Sequence, residues 1–253
     1  MLDQEVLARL HVSAVLQNIE ELVDFDAAAK DIVKDWRATI QFSCPGGIGA
    51  HLEFGGGRAR WADGSTSMPS VALWFATPGQ LNNMFTGKGV AIPVPWMGVW
   101  NVGLLKGFTE LTKRLEHYLK PADATLADRS AFEFHTKCLL YTAMYGLAPI
   151  AGYDHHVRHF VSGIRDGVVE FRIANGPAAH VTVKGGKLYP AKGRSAEPSV
   201  SIELPDYDTA YGMLSGKLDV MALVGARRAT IRGFIPLVDK IGSALDRLAI
   251  YLN

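Results

Sequence analysis

Histidines are the residues of this chain best suited to chemistry. His155, His156 and His159 fall together, and His155 and His159 stand one helical turn apart, the spacing at which two imidazoles can share a metal ion. No carboxylate or cysteine completes a ligand set at that spacing, and Asp154 points elsewhere on a helix. Solvated helix histidines, with no metal, are therefore expected. His51 and His180 sit in mid-strand contexts and could serve as a general base for a lipid-modifying or accessory activity. The sequence offers neither of them a recognisable nucleophile or acid partner. A structural role, pairing with the neighbouring strand, is the stronger expectation. Gly55-Gly56-Gly57-Arg58 and Lys184-Gly185-Gly186-Lys187 could cradle a phosphate, but neither opens a helix after a strand, so both read as hairpin turns. Cys44 and Cys138 form no ligand or redox motif and are expected as buried thiols in a reducing cytoplasm. The expectation is thus of no enzyme and no cofactor.

Composition narrows the function classes. The chain has 253 residues, 26 Lys and Arg against 25 Asp and Glu, and 48% hydrophobic residues. With a net charge of +1 and a pI near 7.8 it lacks the basic excess of a nucleic-acid binder. The acidic start, Asp3 and Glu5 among apolar neighbours, does not resemble a signal peptide, and the end carries no retention signal, so a cytoplasmic protein is expected. Residues 90–105 and 138–153 are free of charge but shorter than the roughly 20 residues a spanning helix needs. Prolines and glycines interrupt both, and neither is expected to form a continuous lipid-exposed helix; buried or pocket-lining segments are expected instead.

The elements that must position these residues are written twice. Shifted by about 129 residues, Phe42 meets Phe171, Gly47 meets Gly176, Ala50-His51 meets Ala179-His180, and Gly56-Gly57 meets Gly185-Gly186. Gly64, Pro69-Ser70-Val71, Met84 and Gly87-Lys88 likewise meet Gly193, Pro198-Ser199-Val200, Met213 and Gly216-Lys217. Further on, Arg114 and Tyr118 meet Arg247 and Tyr251. This pattern predicts a tandem duplication, with domains at 1–122 and 123–253. Each copy opens with helical patterning, continues as short alternating strands bounded by glycine, and has a short capped helix started by Thr77-Pro78 or Asp206. Each closes with an amphipathic helix, Leu104 to Leu119 in one and Leu237 to Leu252 in the other. The expected class is α+β, each copy a mostly antiparallel sheet under helices.

The second copy resembles the sterol carrier protein two family. The resemblance is carried by Pro198-Ser199-Val200-Ser201-Ile202-Glu203-Leu204, Asp206-Tyr207-Asp208, Met213-Leu214-Ser215-Gly216-Lys217-Leu218, Ala229-Thr230-Ile231-Arg232-Gly233 and the closing helix. It covers about residues 167–252 and, through the repeat, about 38–119. It implies two five-stranded sheets under helices, each enclosing an apolar cavity for sterols, fatty acyl chains or similar lipids. The first copy departs from the pattern at residues 90–100, where Pro93 and Pro95 restrict it to an edge strand or extended loop.

What the resemblance implies is non-catalytic binding, with transfer as an extension, of a hydrophobic lipid ligand. The expected lining is Leu73, Phe75, Leu81, Met84, Phe85, Leu104 and Phe108 in the first copy, and Ile202, Leu204, Tyr211, Met213, Leu214, Phe234 and Leu237 in the second. Trp96 and Trp100 suit an interfacial anchor for transient membrane contact, with core packing as the alternative. Two rivals remain at this stage: the lipid-modifying activity using His51 or His180, and a pseudo-dimeric module that binds a protein.

Overall fold

A computed structural model describes residues 2–88, 94–98 and 101–252, with backbone alone at 94–97. Asp3 starts helix α1 (Gln4–Leu10) by accepting from the N–H groups of Glu5 (2.8 Å) and Val6 (3.3 Å). The helix continues through a π-helical turn, His11–Val15. The wider turn frees carbonyls, and side chains take them up: Trp61 Nε1 donates to Val12 (2.8 Å), and the amides of Gln17 and Asn18 both donate to Ala14 (3.1 Å). Helices α2 (Asn18–Phe25) and α3 (Ala27–Val33) follow, the second capped by Asp26.

Strands β1 (Ala38–Cys44), β2 (Ile48–Gly55), β3 (Arg58–Asp63) and β4 (Val71–Trp74) come next, then helix α4 (Pro78–Thr86), edge strand β5 (Val94–Met97) and helix α5 (Val102–Leu119). The sheet order is β3-β2-β1-β4-β5; β1 and β4 run parallel and the other pairs antiparallel. Pro95 lies in the edge strand β5, opposite Leu73, where a missing N–H leaves no gap in a central ladder. Alternation buries Ile40 and Phe42 on one face, opposite Leu52 and Ala50.

A short helix, α6 (Asp123–Ala127), precedes α7 (Arg129–Tyr153) and α8 (His155–Val161). Strands β6 (Gly167–Ile173), β7 (Ala178–Lys184), β8 (Lys187–Lys192) and β9 (Val200–Leu204) lead to α9 (Tyr207–Leu214), α10 (Val220–Gly225), β10 (Thr230–Gly233) and α11 (Ile235–Leu252). The order β10-β9-β6-β7-β8, with β6 and β9 parallel, is the topology of the first sheet. The chain divides into two compact units, Met1–Thr125 and Leu126–Asn253, each with one sheet and its own helices. The architecture is mixed α+β.

Residues 138–153, expected as a buried segment, lie inside a continuous helix, α7, with Pro149 in its interior and most of its apolar side chains buried. Proline removes a single backbone bond, and the burial of Leu147, Pro149, Ile150 and Ala151 outweighs that loss. Among the described residues no helix is long and apolar enough to cross a membrane.

Candidate functional site

In the second unit one apolar cluster lies where β6 and β9 end. Asp206 accepts from Thr209 N–H (2.7 Å) and starts α9, and Asp219 accepts from Ala222 N–H (2.9 Å) and starts α10. Gly216, at φ 71°, makes the left-handed turn between them. Both helices lie over a cluster of Ile173, Leu204, Ala210, Leu223 and Ala229. Tyr207, Met213, Leu218 and Val224 pack against that cluster and are only partly buried. Leu218 touches the space a side chain at position 212 would fill, so Gly212 lets the α9–α10 connection close on the helix.

Polar groups hold this roof from outside. Arg129 donates to Asp208 (2.8 Å) and Glu133 (2.8 Å), and its guanidinium lies over the Phe132 and Tyr207 rings. These pairs raise the affinity of Arg129 for its proton, chiefly through the Asp208 bond. Arg228 donates to Thr209 Oγ1 (3.1 Å). The Tyr211 ring stands 5.2 Å from that of Phe132 and 5.7 Å from that of His135, with the Lys217 ammonium 4.8 Å from its centre.

The residues expected to line a cavity fall into three groups. Phe75, Leu81, Ile202, Leu204 and Leu237 are at most 2% exposed, and Leu73 and Phe108 are buried as well. Met84, Phe85, Leu104, Tyr211, Met213 and Leu214 are half-buried. Phe234 stands apart, 41% exposed just beyond β10. Trp96 lies in β5, but its side chain and Trp100 fall outside the described residues, so the docking role expected of them does too.

In the first unit α4 meets α1 and the π-turn through a buried histidine that sequence reasoning missed. His11 Nδ1 bonds Asn82 Oδ1 (2.9 Å), Asn82 Nδ2 donates to the Gln4 carbonyl (3.0 Å), and the imidazole stacks on Phe85 at 4.8 Å. Burial lowers the His11 pKa to about 4, against a smaller opposing effect of the Asn82 bond. A single histidine in a helical stripe carries no sequence signal for this.

His51 Nδ1 meets the Gly64 carbonyl and His180 Nδ1 meets the Gly193 carbonyl, both at 3.0 Å. Each ties its strand to the left-handed glycine that ends the next one. His155, His156 and His159 are exposed on α8, and among the described residues no three metal-ligating side chains converge. Cys44 and Cys138 are buried, and burial raises the Cys44 thiol pKa.

Sequence reasoning also missed a buried clamp present in each unit. Asp26 caps α3 through Ala29 N–H (2.8 Å) and accepts from Arg114 (3.0 and 2.9 Å) and Tyr118 (3.1 Å). Asp154 caps α8 through His156 and Val157 N–H groups (2.9 and 3.1 Å) and accepts from Arg247 (3.0 Å) and Tyr251 (2.8 Å). The Arg and Tyr pairs were visible as a repeat; the aspartates that join them were not.

No family model and no curated protein matches the sequence. Solved structures match in part. A sterol carrier protein domain 2 of Helicoverpa armigera is 19% identical over 44% of this chain and 88% of that one, with a TM-score of 0.35. The palmitated SCP2L2 of Aedes aegypti is 20% identical over 39% of this chain and 85% of that one, with a TM-score of 0.29. A ubiquinone synthesis protein, UbiJ-SCP2, is 12% identical over 48% of this chain and 94% of that one, with a TM-score of 0.32. These are partial likenesses of fold at low identity.

Proposed function

We propose that this protein binds a hydrophobic lipid ligand without catalysing a reaction, and that its two units are copies of one duplicated domain. The observation that carries the binding reading is the roof of the second unit. Two helices of eight and six residues stand over an apolar cluster whose outer members, Tyr207, Met213, Leu218 and Val224, remain partly exposed. An acyl chain entering beneath them gains about 0.8 kcal/mol per methylene buried. Ten methylenes supply about 8 kcal/mol, the free energy of micromolar binding, before the cost of parting the roof. The engaged Nδ1 atoms of His51 and His180 favour binding over catalysis.

Duplication is supported by hydrogen bonds that recur at the repeat offset. Thr66 N–H donates to Gln41 as Ser195 N–H donates to Glu170, and Thr39 N–H donates to Ser70 Oγ as Val168 N–H donates to Ser199 Oγ. Such side-chain bonds are not required by the sheet order.

Native mass spectrometry of the purified protein, with extraction and identification of whatever lipid accompanies it, tests the binding reading. A fluorescent fatty acid should bind saturably, and Met213→Trp, which adds bulk beneath the roof, should weaken that binding at least tenfold with the fold intact. Absence of saturable binding by fatty acids and sterols alike refutes it.

A further inference from the structure

We propose that one end of the second unit's sheet is a docking surface for an anionic phospholipid bilayer. The strand register brings four chain segments to that end. Gly167 opens β6 opposite Val183 near the close of β7, Lys184 and Lys187 pair across the hairpin, and Gly233 closes β10 opposite Val200. Asp166 accepts from Gly185 N–H (2.8 Å), and Phe234 N–H donates to the Ser199 carbonyl (3.0 Å), which fixes the hairpin and the start of α11 in place.

The surface so assembled combines cations with exposed apolar side chains. Phe234 and Ile235 are 41% and 50% exposed. Arg165 lies over the Phe234 ring at 5.5 Å, and Lys240 over the Phe160 ring at 6.0 Å. Lys184 and Lys187 are exposed at the same end of the sheet, on the β7–β8 hairpin, with β9 and β6 between that hairpin and β10. Asp166, Glu197 and Asp239 are the acidic residues near this end, and Asp166 is engaged by the hairpin. An aromatic ring under a guanidinium suits the boundary of a bilayer, where the ring enters the acyl region and the cation meets lipid phosphates.

The fold does not demand this chemistry. At the aligned positions the first unit has Trp36 for Arg165, Gly55 for Lys184 and Gly107 for Lys240, and only Arg58, for Lys187, keeps a charge. Trp36 there packs against Gly107. Charge complementarity selects an anionic bilayer, because a free polyanion would use the cations and gain nothing from Phe234 and Ile235. The surface does not depend on the binding roof, and either can fail without the other.

Flotation with vesicles of phosphatidylcholine alone and with about 30% phosphatidylserine tests it. The protein should float with the anionic vesicles and lose that association in high salt. Neutralising one cation, as in Arg165→Gln or Lys240→Gln, should weaken binding about fivefold, and Phe234→Ser with Ile235→Ser should weaken it at least tenfold. Lys34→Gln and Lys113→Gln, on exposed helices of the first unit, should leave it unchanged. Circular dichroism of each variant verifies that the fold is kept. No flotation with anionic vesicles overturns the proposal. So does an unchanged affinity in the Phe234 and Ile235 variant, which would mark a generic polyanion surface suited to an acidic protein or nucleic acid.

Discussion

Replacing Asp154 by alanine should cost the second unit about 3–5 kcal/mol. Three losses add up to that figure. The N-cap of α8 contributes about 1 kcal/mol. The ionised bond to Arg247 contributes about 1.5–3 kcal/mol, since the Asp154 side chain is 2% exposed and poorly screened. The Tyr251 hydroxyl loses its 2.8 Å acceptor, about 1 kcal/mol more. Burial opposes ionisation of Asp154, but Tyr251, the Val157 N–H and Arg247 outweigh it and hold the carboxyl below the usual range. The depressed folded pKa means the clamp stabilises fully above the unfolded value, about 3.9, and fails as pH falls through the folded one. All five tryptophans lie in the first unit, so their fluorescence reports that unit while far-ultraviolet circular dichroism reports both. In urea titrations Asp154→Ala should bring forward a circular-dichroism transition that fluorescence does not follow, and Asp26→Ala should move the fluorescence transition. A loss below about 1 kcal/mol for Asp154→Ala refutes the reasoning, because it would mean the clamp is worth no more than a surface pair.

Three other expectations follow from single sites. His11, neutral in the folded state to about pH 4, should make the first unit less stable as pH falls from about 6.5 to 4, by up to about 3 kcal/mol; the tryptophan-detected midpoint of His11→Asn should lose most of that slope. Gly233→Ala should destabilise by about 2 kcal/mol or more, since φ is 110° and a Cβ would run into the Ser199 carbonyl; equilibrium unfolding reads it, and Gly98→Ala should do the same against Ser70. His180→Ala should lower stability by about 1 kcal/mol through loss of the Gly193 bond while leaving lipid titrations unchanged; a loss of ligand affinity instead would return the histidine to the functional site.

Legibility followed the range of the interactions. Turns that need a left-handed backbone announce themselves, so Gly56-Gly57 and Gly185-Gly186 located both β2–β3 and β7–β8 hairpins at once. Caps are equally local, and Thr77 and Asp206 do bond the N–H three residues on. The π-turn was not legible, because it exists through Trp61, 49 residues from the Val12 carbonyl it satisfies. The clamps escaped for the same reason: Asp154 and Tyr251 are 97 residues apart, and a lone aspartate before a helix reads as an ordinary cap. Around Pro149 the burial expected of residues 138–153 is present, and tertiary packing keeps the helix continuous where local propensity would break it.

Phe234 shows why the apolar roll of a sequence is a poor map of a site. Alternation along residues 230–234 gives no inside or outside, because β10 is an edge strand paired on one side and its face is decided by the neighbours that cover it. Phe234 was assigned to the interior by its type, yet it stands exposed beneath Arg165, a residue 69 positions earlier in the sequence. Burial of the same ring would have been worth about 2 kcal/mol. At one end of the second unit the ring forgoes this amount and lies instead under a guanidinium, the arrangement that the proposed bilayer surface requires. The interior of the roof and this outer end therefore make separate demands on the sequence, and variants confined to one should leave the other intact.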